Sequence, residues 1–249
     1  MPDASAALTR DLPEYDLAYR DVFWRGRDYE DLCDRTAIRA LLPPKGGRLV
    51  EVGAGFGRLA DEYKGYDEVV LFDSSEALLA AGRERLGSDS RLRFVLGNAY
   101  AMPFESASFD AVVCVRVAHH FTEPERVFRE MSRILRPGGI LVLEFANKRH
   151  LKSIVKYALG RQRWSPFGPE SVEYRPLHFD HSPDEMRRLL RQAGFQIGPV
   201  RAASLFRLGP LKRHVPPRVL AGVEGPLQAP LGLLALGPSV YLRARRTTR

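Results

Sequence analysis

The sequence predicts an α/β fold: a mostly parallel seven-stranded sheet with helices on both faces and a lid inserted after the fifth strand. Three observations carry this. Short apolar runs alternate with helical patterns from Arg48 to Glu144. The first run, Leu49-Val50-Glu51-Val52, opens into Gly53-Ala54-Gly55-Phe56-Gly57, three glycines at alternate positions. Past that turn a second run, Val69-Val70-Leu71-Phe72, ends in Asp73. Parallel strands need a crossover long enough to hold a helix, so this alternation implies a parallel sheet covered on both faces. A strand, a glycine turn, a helix and a strand ending in an acid is how a Rossmann-type unit holds a nucleoside. Glycine lets the backbone pass close to a ligand where a Cβ would collide. The acid can accept both ribose hydroxyls.

The elements follow in order. Residues 1–12 are expected to be disordered, and 13–42 suit one or two helices with an aromatic-rich stretch, Tyr19, Phe23, Trp24 and Tyr29. Pro43-Pro44 stops the helical pattern. Strands are expected at 48–52, 68–72, 92–96, 111–115 and 140–144, and helices at 58–63, 75–86 and 123–135. Asp73-Ser74-Ser75-Glu76 offers capping groups to the helix at 75–86. Pro137-Gly138-Gly139 is expected to end the next helix and turn into the fifth strand. The alternation then breaks over 147–180, a basic helix followed by an irregular stretch with Pro166, Gly168, Pro169 and Pro176. Ser182-Pro183-Asp184-Glu185 is a good helix start, and that helix runs to Gln192. A bent strand over 195–207, a broken helix over 216–234 and a last strand over 239–245 complete the chain. The domain division is 1–42 as an N-terminal helical cap and 43–249 as the Rossmann-like domain, with 147–181 as a substrate lid.

Composition narrows the class. Hydrophobic content of 45% suffices for a packed core, and two cysteines, Cys33 and Cys114, make no disulfide framework. The polar N-terminus has no apolar core of a secretory signal, and the run 230–242 is broken by Gly232, Gly237 and Pro238, too short to span a bilayer. A cytoplasmic protein is expected. The net charge of +8 is unevenly spread. Residues 1–144 carry 19 basic and 24 acidic side chains, and 145–249 carry 19 basic and 6 acidic. An anionic partner or a solvated basic face both fit this split.

The glycine spacing selects the ligand. A dinucleotide fingerprint is G-x-G-x-x-G, its third glycine beside a pyrophosphate. Here the spacing is G-x-G-x-G, and Arg58 stands where the dinucleotide pattern wants glycine. With Glu51 two residues before it and Asp73 at the end of the next strand, the segment resembles motif I of the class I S-adenosylmethionine-dependent methyltransferases. The resemblance is to the small-molecule branch that includes quinone-modifying enzymes. It spans 49–144 and, more loosely, 19–245.

That resemblance implies S-adenosyl-L-methionine as cofactor, bound through Glu51, Gly53, Ala54, Gly55, Gly57, Asp73 and Ser74. It puts Asn98 and Ala99, after the third strand, beside the adenine, and Met102-Pro103-Phe104 flanking the purine. Val115, at the end of the fourth strand, also joins the cofactor set. Tyr29 and Arg27 are expected near the methionine carboxylate. Asp110 and Cys114 are expected to be structural.

Ligands in open α/β sheets bind at the carboxyl ends of strands, so His119-His120, just past the fourth strand, should face the acceptor. A neutral imidazole is the common proton acceptor near pH 7. Two neighbouring histidines with no third ligand nearby in sequence do not make a metal site, and none is expected. Trp24, Trp164, Tyr174 and His178 are expected to touch the substrate. Lys148, Arg149, Lys152, Lys156, Arg161 and Arg163 have no acid between Asn147 and Pro169. The segment 148–163 can therefore meet a membrane surface, an anionic substrate or, less favoured, nucleic acid.

The reading is methyl transfer to oxygen, nitrogen or carbon of a small or lipophilic molecule. An RNA methyltransferase using the basic C-terminal part is the alternative, and a non-catalytic cofactor-binding scaffold is the alternative of another class.

Overall fold

The computed structural model describes residues 22–248. The disorder expected over 1–12, and Tyr19, lie outside these residues. The elements are α1 (Asp28–Leu41), β1 (Gly46–Val52), β2 (Tyr66–Asp73), α2 (Glu76–Leu86), β3 (Leu92–Leu96), β4 (Phe109–Cys114), α3 (Pro124–Ile134), β5 (Leu135–Ala146) and α4 (Leu151–Ala158). They continue with β6 (Val172–Arg175), β7 (His178–Asp180), α5 (Pro183–Gln192), β8 (Phe195–Ala203), α6 (Gly209–His214), α7 (Pro217–Leu233) and β9 (Ser239–Arg246).

Seven strands form one sheet in the order β3-β2-β1-β4-β5-β9-β8. The pairs from β3 to β5 are parallel, and β9 runs antiparallel to both β5 and β8. The chain winds outward from β1 to β2 and β3, then returns to place β4 on the other side of β1. Loops leaving β1 and β4 therefore diverge and open a crevice at their carboxyl ends, where such sheets bind ligands.

Strand side chains alternate with period two and feed two cores. Val50, Val52, Phe72, Val112, Cys114, Leu141 and Leu143 face one side, against Phe128 and Met131 of α3 and Met186 of α5. Leu49, Val69, Leu71, Val113, Val115 and Val142 face the other, against Tyr29, Cys33, Ala37 and Ile38 of α1 and Leu220 of α7. Both cysteines are buried thiols.

Four local expectations change. The helix over 58–63 is only a 3-10 turn, Ala60–Tyr63, because the backbone has just left the left-handed Gly57 and must re-enter β2 at Tyr66. The helix before Pro137 ends at Ile134, and β5 begins at once at Leu135. Its register on β4 shifts between Phe109 and Ala111, since Pro137 has no N–H for the ladder and Gly138 is left-handed. The bent strand stops at Ala203, before Ser204 at φ +64°. The segment expected to be broken over 216–234 is one helix with Pro226 and Pro230 inside it. The prolines are four apart, so the lost donors lie along one face.

Helix α1 is fixed to the crevice by one buried carboxylate. Asp34 is fully buried and receives Arg116 in a two-pronged contact, Nε to Oδ2 at 3.2 Å and Nη2 to Oδ1 at 2.7 Å. Arg58 Nη2 reaches Oδ2 at 3.0 Å, and the Tyr241 hydroxyl donates to Oδ1 at 2.6 Å. Burial by itself would raise the Asp34 carboxyl, but Arg116 and Arg58 override it and hold it below its ordinary range. Removing one partner of such a group strands the others as uncompensated buried charge. Asp34→Ala is expected to lower stability by about 3–5 kcal/mol, read as a fall in the urea midpoint; a change under about 1 kcal/mol would show that the arginines find other partners.

Candidate active site

The crevice is lined from four sides. The glycine loop supplies Glu51, Val52, Gly53, Ala54, Gly55, Phe56 and Arg58, and the end of β2 supplies Phe72, Asp73 and Ser74. Gly97 and Ala99 come from the loop after β3, and Val115, Arg116, Val117, His120 and Phe121 from the loop after β4. Trp24 closes one edge, with the Arg58 guanidinium 3.8 Å from its ring centroid.

The loop has this shape because of its glycines. Gly53, Gly55 and Gly57 all have positive φ, +77°, +54° and +70°, which side chains with a Cβ adopt only under strain. A Cβ on Gly53 would stand 2.1 Å from Val117 Cγ2, so this glycine lets the β1 and β4 loops touch. Its N–H donates to the Phe72 carbonyl at 2.8 Å.

Two carboxylates stand in the crevice. Asp73 Oδ2 accepts the Gly55 N–H at 2.7 Å, and Oδ1 accepts the Ser75 N–H at 2.8 Å. These contacts aim the carboxylate and leave each oxygen a lone pair. Burial raises its pKa, opposed by the N–H groups of Ser75, Gly55 and Ser74. Glu51 is 3% exposed, and its Oε2 has no hydrogen-bond partner among the described residues. Burial pushes Glu51 up from 4.5 to about 8, against the pull of Arg58. A buried acceptor without a donor is costly, and a donor or cation brought by a ligand would relieve it.

Beyond the carboxylates lies a group of imidazoles. His119 and His120 sit on a 3-10 turn, Ala118–His120, after β4. Their ring centroids are 3.9 Å apart. His178, from the β6–β7 hairpin, lies 4.5 Å from His120 and 5.7 Å from His119 by ring centroid. Burial pushes His120 down to about 4. Burial, then the neighbouring His120 and His178, pushes His119 well below its usual range. Both rings are neutral at pH 7.

The crevice gathers Glu51, Gly53, Ala54, Gly55, Asp73, Ser74, Ala99, Val115, Trp24 and His120 of the residues expected from sequence. Three expected cofactor residues do not border it. Tyr29 is 1% exposed, its hydroxyl spent between Glu224 of α7 and the Phe206 N–H, because α1 turns that face into the core. Asn98 uses its carboxamide oxygen on the Tyr100 N–H at 2.9 Å, a local turn. Gly57 meets Leu86 and Leu71 instead, where a Cβ would come within 2.7 Å of Leu86 Cδ1. Of the expected substrate residues, Trp164, Tyr174 and His178 also stand outside the crevice wall. Trp164 faces Lys148 and Tyr174 neighbours His178. Arg27 stacks on Phe23 rather than entering the crevice. The Met102–Phe104 loop folds into the core, Phe104 against Phe72 and Phe109.

The sequence gives Arg116 and Arg58 no visible role in the site, and it does not join His178, expected at the substrate, to the pair His119-His120. Arg116 was legible as a lone charge inside the apolar run 112–118. Nothing local marks His178 as the neighbour of a pair 58 residues earlier.

Known proteins match this architecture. Residues 50–143 match the family described as methyltransferase domain. The chain is 35% identical over 150 residues to a demethylmenaquinone methyltransferase of Renibacterium salmoninarum, a match covering 59% of this chain and 60% of that protein. It is 37% identical over 110 residues to a demethylmenaquinone methyltransferase of Clavibacter sepedonicus, covering 43% of this chain and 45% of that protein. The chain thus spans about half the length of the relatives it matches. A SAM-dependent methyltransferase of Thermotoga maritima superposes with a TM-score of 0.64 over 93% of this chain and 96% of that one, at 20% identity. Residues 50–143 thus match a methyltransferase domain, and the fold is the one seen in the Thermotoga maritima S-adenosylmethionine-dependent methyltransferase.

A folded pKa near 8 against 4.5 means that folded Glu51 keeps its proton across that interval while the unfolded chain releases it. Stability should therefore fall as pH rises from about 5 to 8. Glu51→Gln is expected to flatten this slope by up to ~1.4 kcal/mol per pH unit and to raise the melting temperature at pH 8. Parallel melting curves for the variant and the parent protein across pH 5–8 would contradict the buried acid.

Proposed function

We propose that this chain is an S-adenosylmethionine-dependent methyltransferase acting on a small lipophilic acceptor. One observation carries the reading. The crevice at the β1/β4 switch point combines a sterically required Gly53 with an aimed Asp73 and a Glu51 whose Oε2 has no donor among the described residues. This donor set fits the cofactor. Asp73 would hold the ribose hydroxyls with its remaining lone pairs. Glu51 would receive the methionine ammonium directly or through water, and Ala99 with Phe72 would flank the adenine. The cofactor, when bound, supplies an electrophilic methyl on a sulfonium that is its own leaving group.

The protein's part is to align and to exclude water. Trp24 and Arg58 cover one edge of the crevice, and residues 147–181 act as a lid over the acceptor. His120, with His119 behind it, presents neutral imidazole at the acceptor end. A further relative, 35% identical over 121 residues, is a ubiquinone/menaquinone biosynthesis C-methyltransferase of Hahella chejuensis, which favours a carbon nucleophile on a hydroxylated ring. A cytoplasmic enzyme working at a membrane surface fits such an acceptor. On α4, Leu151, Val155 and Tyr157 are exposed beside Lys152 and Lys156, the pattern of a helix lying on an anionic bilayer. Among the described residues no helix is long and apolar enough to cross a membrane.

Three outcomes test the reading. Incubated with methyl-labelled cofactor and a panel of lipophilic quinols, the protein should release S-adenosylhomocysteine with at least one of them; a protein that binds cofactor but methylates none would be a scaffold. Asp73→Ala should weaken cofactor affinity by about 2–3 kcal/mol, as for lost hydrogen bonds to a charged group, whereas His120→Ala should lower turnover and leave that affinity unchanged. Finally, the protein should sediment with anionic vesicles and not with neutral ones, and Lys152→Glu with Lys156→Glu should release it; equal sedimentation would remove the membrane contact.

A further inference from the structure

The imidazoles beside the crevice have the arrangement of a metal centre. His119, His120 and His178 each offer a ring nitrogen, and these atoms all lie within 4.8 Å of one another. A tetrahedral zinc ion with bonds of 2.0–2.1 Å separates its ligand nitrogens by about 3.3 Å. Closing from the observed spacing needs side-chain shifts of about 1 Å, within reach of a turn and a short hairpin.

The surrounding hydrogen bonds set the tautomers. His120 Nδ1 lies 2.9 Å from the Leu177 carbonyl, and His178 Nδ1 lies 2.9 Å from the Pro176 carbonyl. A carbonyl only accepts, so each Nδ1 carries the proton and each Nε2 the lone pair. A ligating histidine characteristically gives its other N–H to a backbone carbonyl in this way, which orients the ring. His181 makes a different contribution. Its ring nitrogens are committed to the Ala118 carbonyl at 2.9 Å and to Ser171 Oγ at 3.0 Å. It braces the turn that carries His119 and His120.

We propose that His119, His120 and His178 form a site for a divalent transition-metal ion of the zinc class, with its remaining coordination positions open to an oxygen of the acceptor. Three imidazoles and an open position are the ligand count of catalytic rather than structural zinc. All three ligands are neutral, so the bound ion keeps its full charge and favours an anionic oxygen such as a phenolate or an enolate. His120 borders the cofactor crevice, so the ion would stand at the wall where the acceptor enters. It would hold an acceptor hydroxyl as its oxyanion and fix the ring against the methyl. In this role the two adjacent histidines are ligands rather than proton acceptors. The metal site stands on its own geometry; only the role of the open position rests on the methyltransferase reading.

The test is a cobalt(II) titration of the tag-free, metal-stripped full-length chain, followed by visible absorption. One cobalt per chain with ligand-field bands, displaced by zinc, is expected. His178→Ala and His119→Ala should each weaken binding by at least roughly tenfold, with unchanged far-UV circular dichroism. Absence of bands in the parent protein would overturn the site. Bands that persist unchanged in both variants would do the same. The readout uses neither cofactor nor acceptor, so its failure leaves the methyltransferase reading standing, and a lack of methyl transfer leaves the cobalt result standing.

Discussion

The crevice depends on one buried contact, the grip of Asp34 on Arg116 and Arg58. It joins three segments far apart in sequence: α1, the glycine loop after β1 and the loop after β4. Neither arginine could be desolvated alone, because an uncompensated buried guanidinium is too costly. Arg116 also has φ +63°, a left-handed conformation costing about 1–3 kcal/mol for a residue with a side chain. Its N–H donates to Glu144 Oε2 at 2.8 Å, and its guanidinium also reaches Ser239 and Ser204. These contacts hold a strained turn in place, one that sets Val117 against Gly53 and His120 on the crevice wall. The site is therefore built from long-range polar contacts laid over an apolar sheet.

The two ends of the site differ in charge logic. At the β1–β2 end, Glu51 and Asp73 are buried acids, one with an oxygen that has no donor among the described residues and one braced by backbone N–H groups. Such an end recruits a ligand rich in donors and positive charge. At the β4 end stand uncharged imidazoles and apolar walls. A cationic, hydroxylated cofactor at the first end and an oxygen-bearing apolar acceptor at the second satisfy both. The segment between Asn147 and His181, the proposed lid, is tied to the sheet by polar contacts as well: the Asn147 amide donates to the Ala235 and Gly237 carbonyls. Those contacts connect the first residue of that segment to the stretch between α7 and β9.

Much of this was legible in the sequence where chemistry is local. The β1–glycine–β2 unit, Asp73, and the turn bearing His119 and His120 each depend on neighbours a few residues away, and their types announce them. Elsewhere a residue's place is set by a partner that its type does not announce, whether distant or near. Tyr29 reads as a pocket residue until Glu224, 195 positions later, claims its hydroxyl. Asn98 reads as an adenine contact, but its oxygen accepts the Tyr100 N–H two residues on and it does not border the crevice. His178 carries no local mark of its place beside His120; only the β6–β7 hairpin brings them together. The continuity of α7 through two prolines is likewise a tertiary outcome, since helix propensity predicts a break while its buried face keeps Leu220, Ala221, Glu224 and Gln228 in register.

The most direct measurement is calorimetric titration of the purified chain with S-adenosylhomocysteine, with NAD as the competitor ligand. One site per chain is expected, with a Kd of about 1 μM or tighter, roughly −8 kcal/mol, and no heat from NAD. No binding of S-adenosylhomocysteine, or a site that takes NAD in its place, would contradict it.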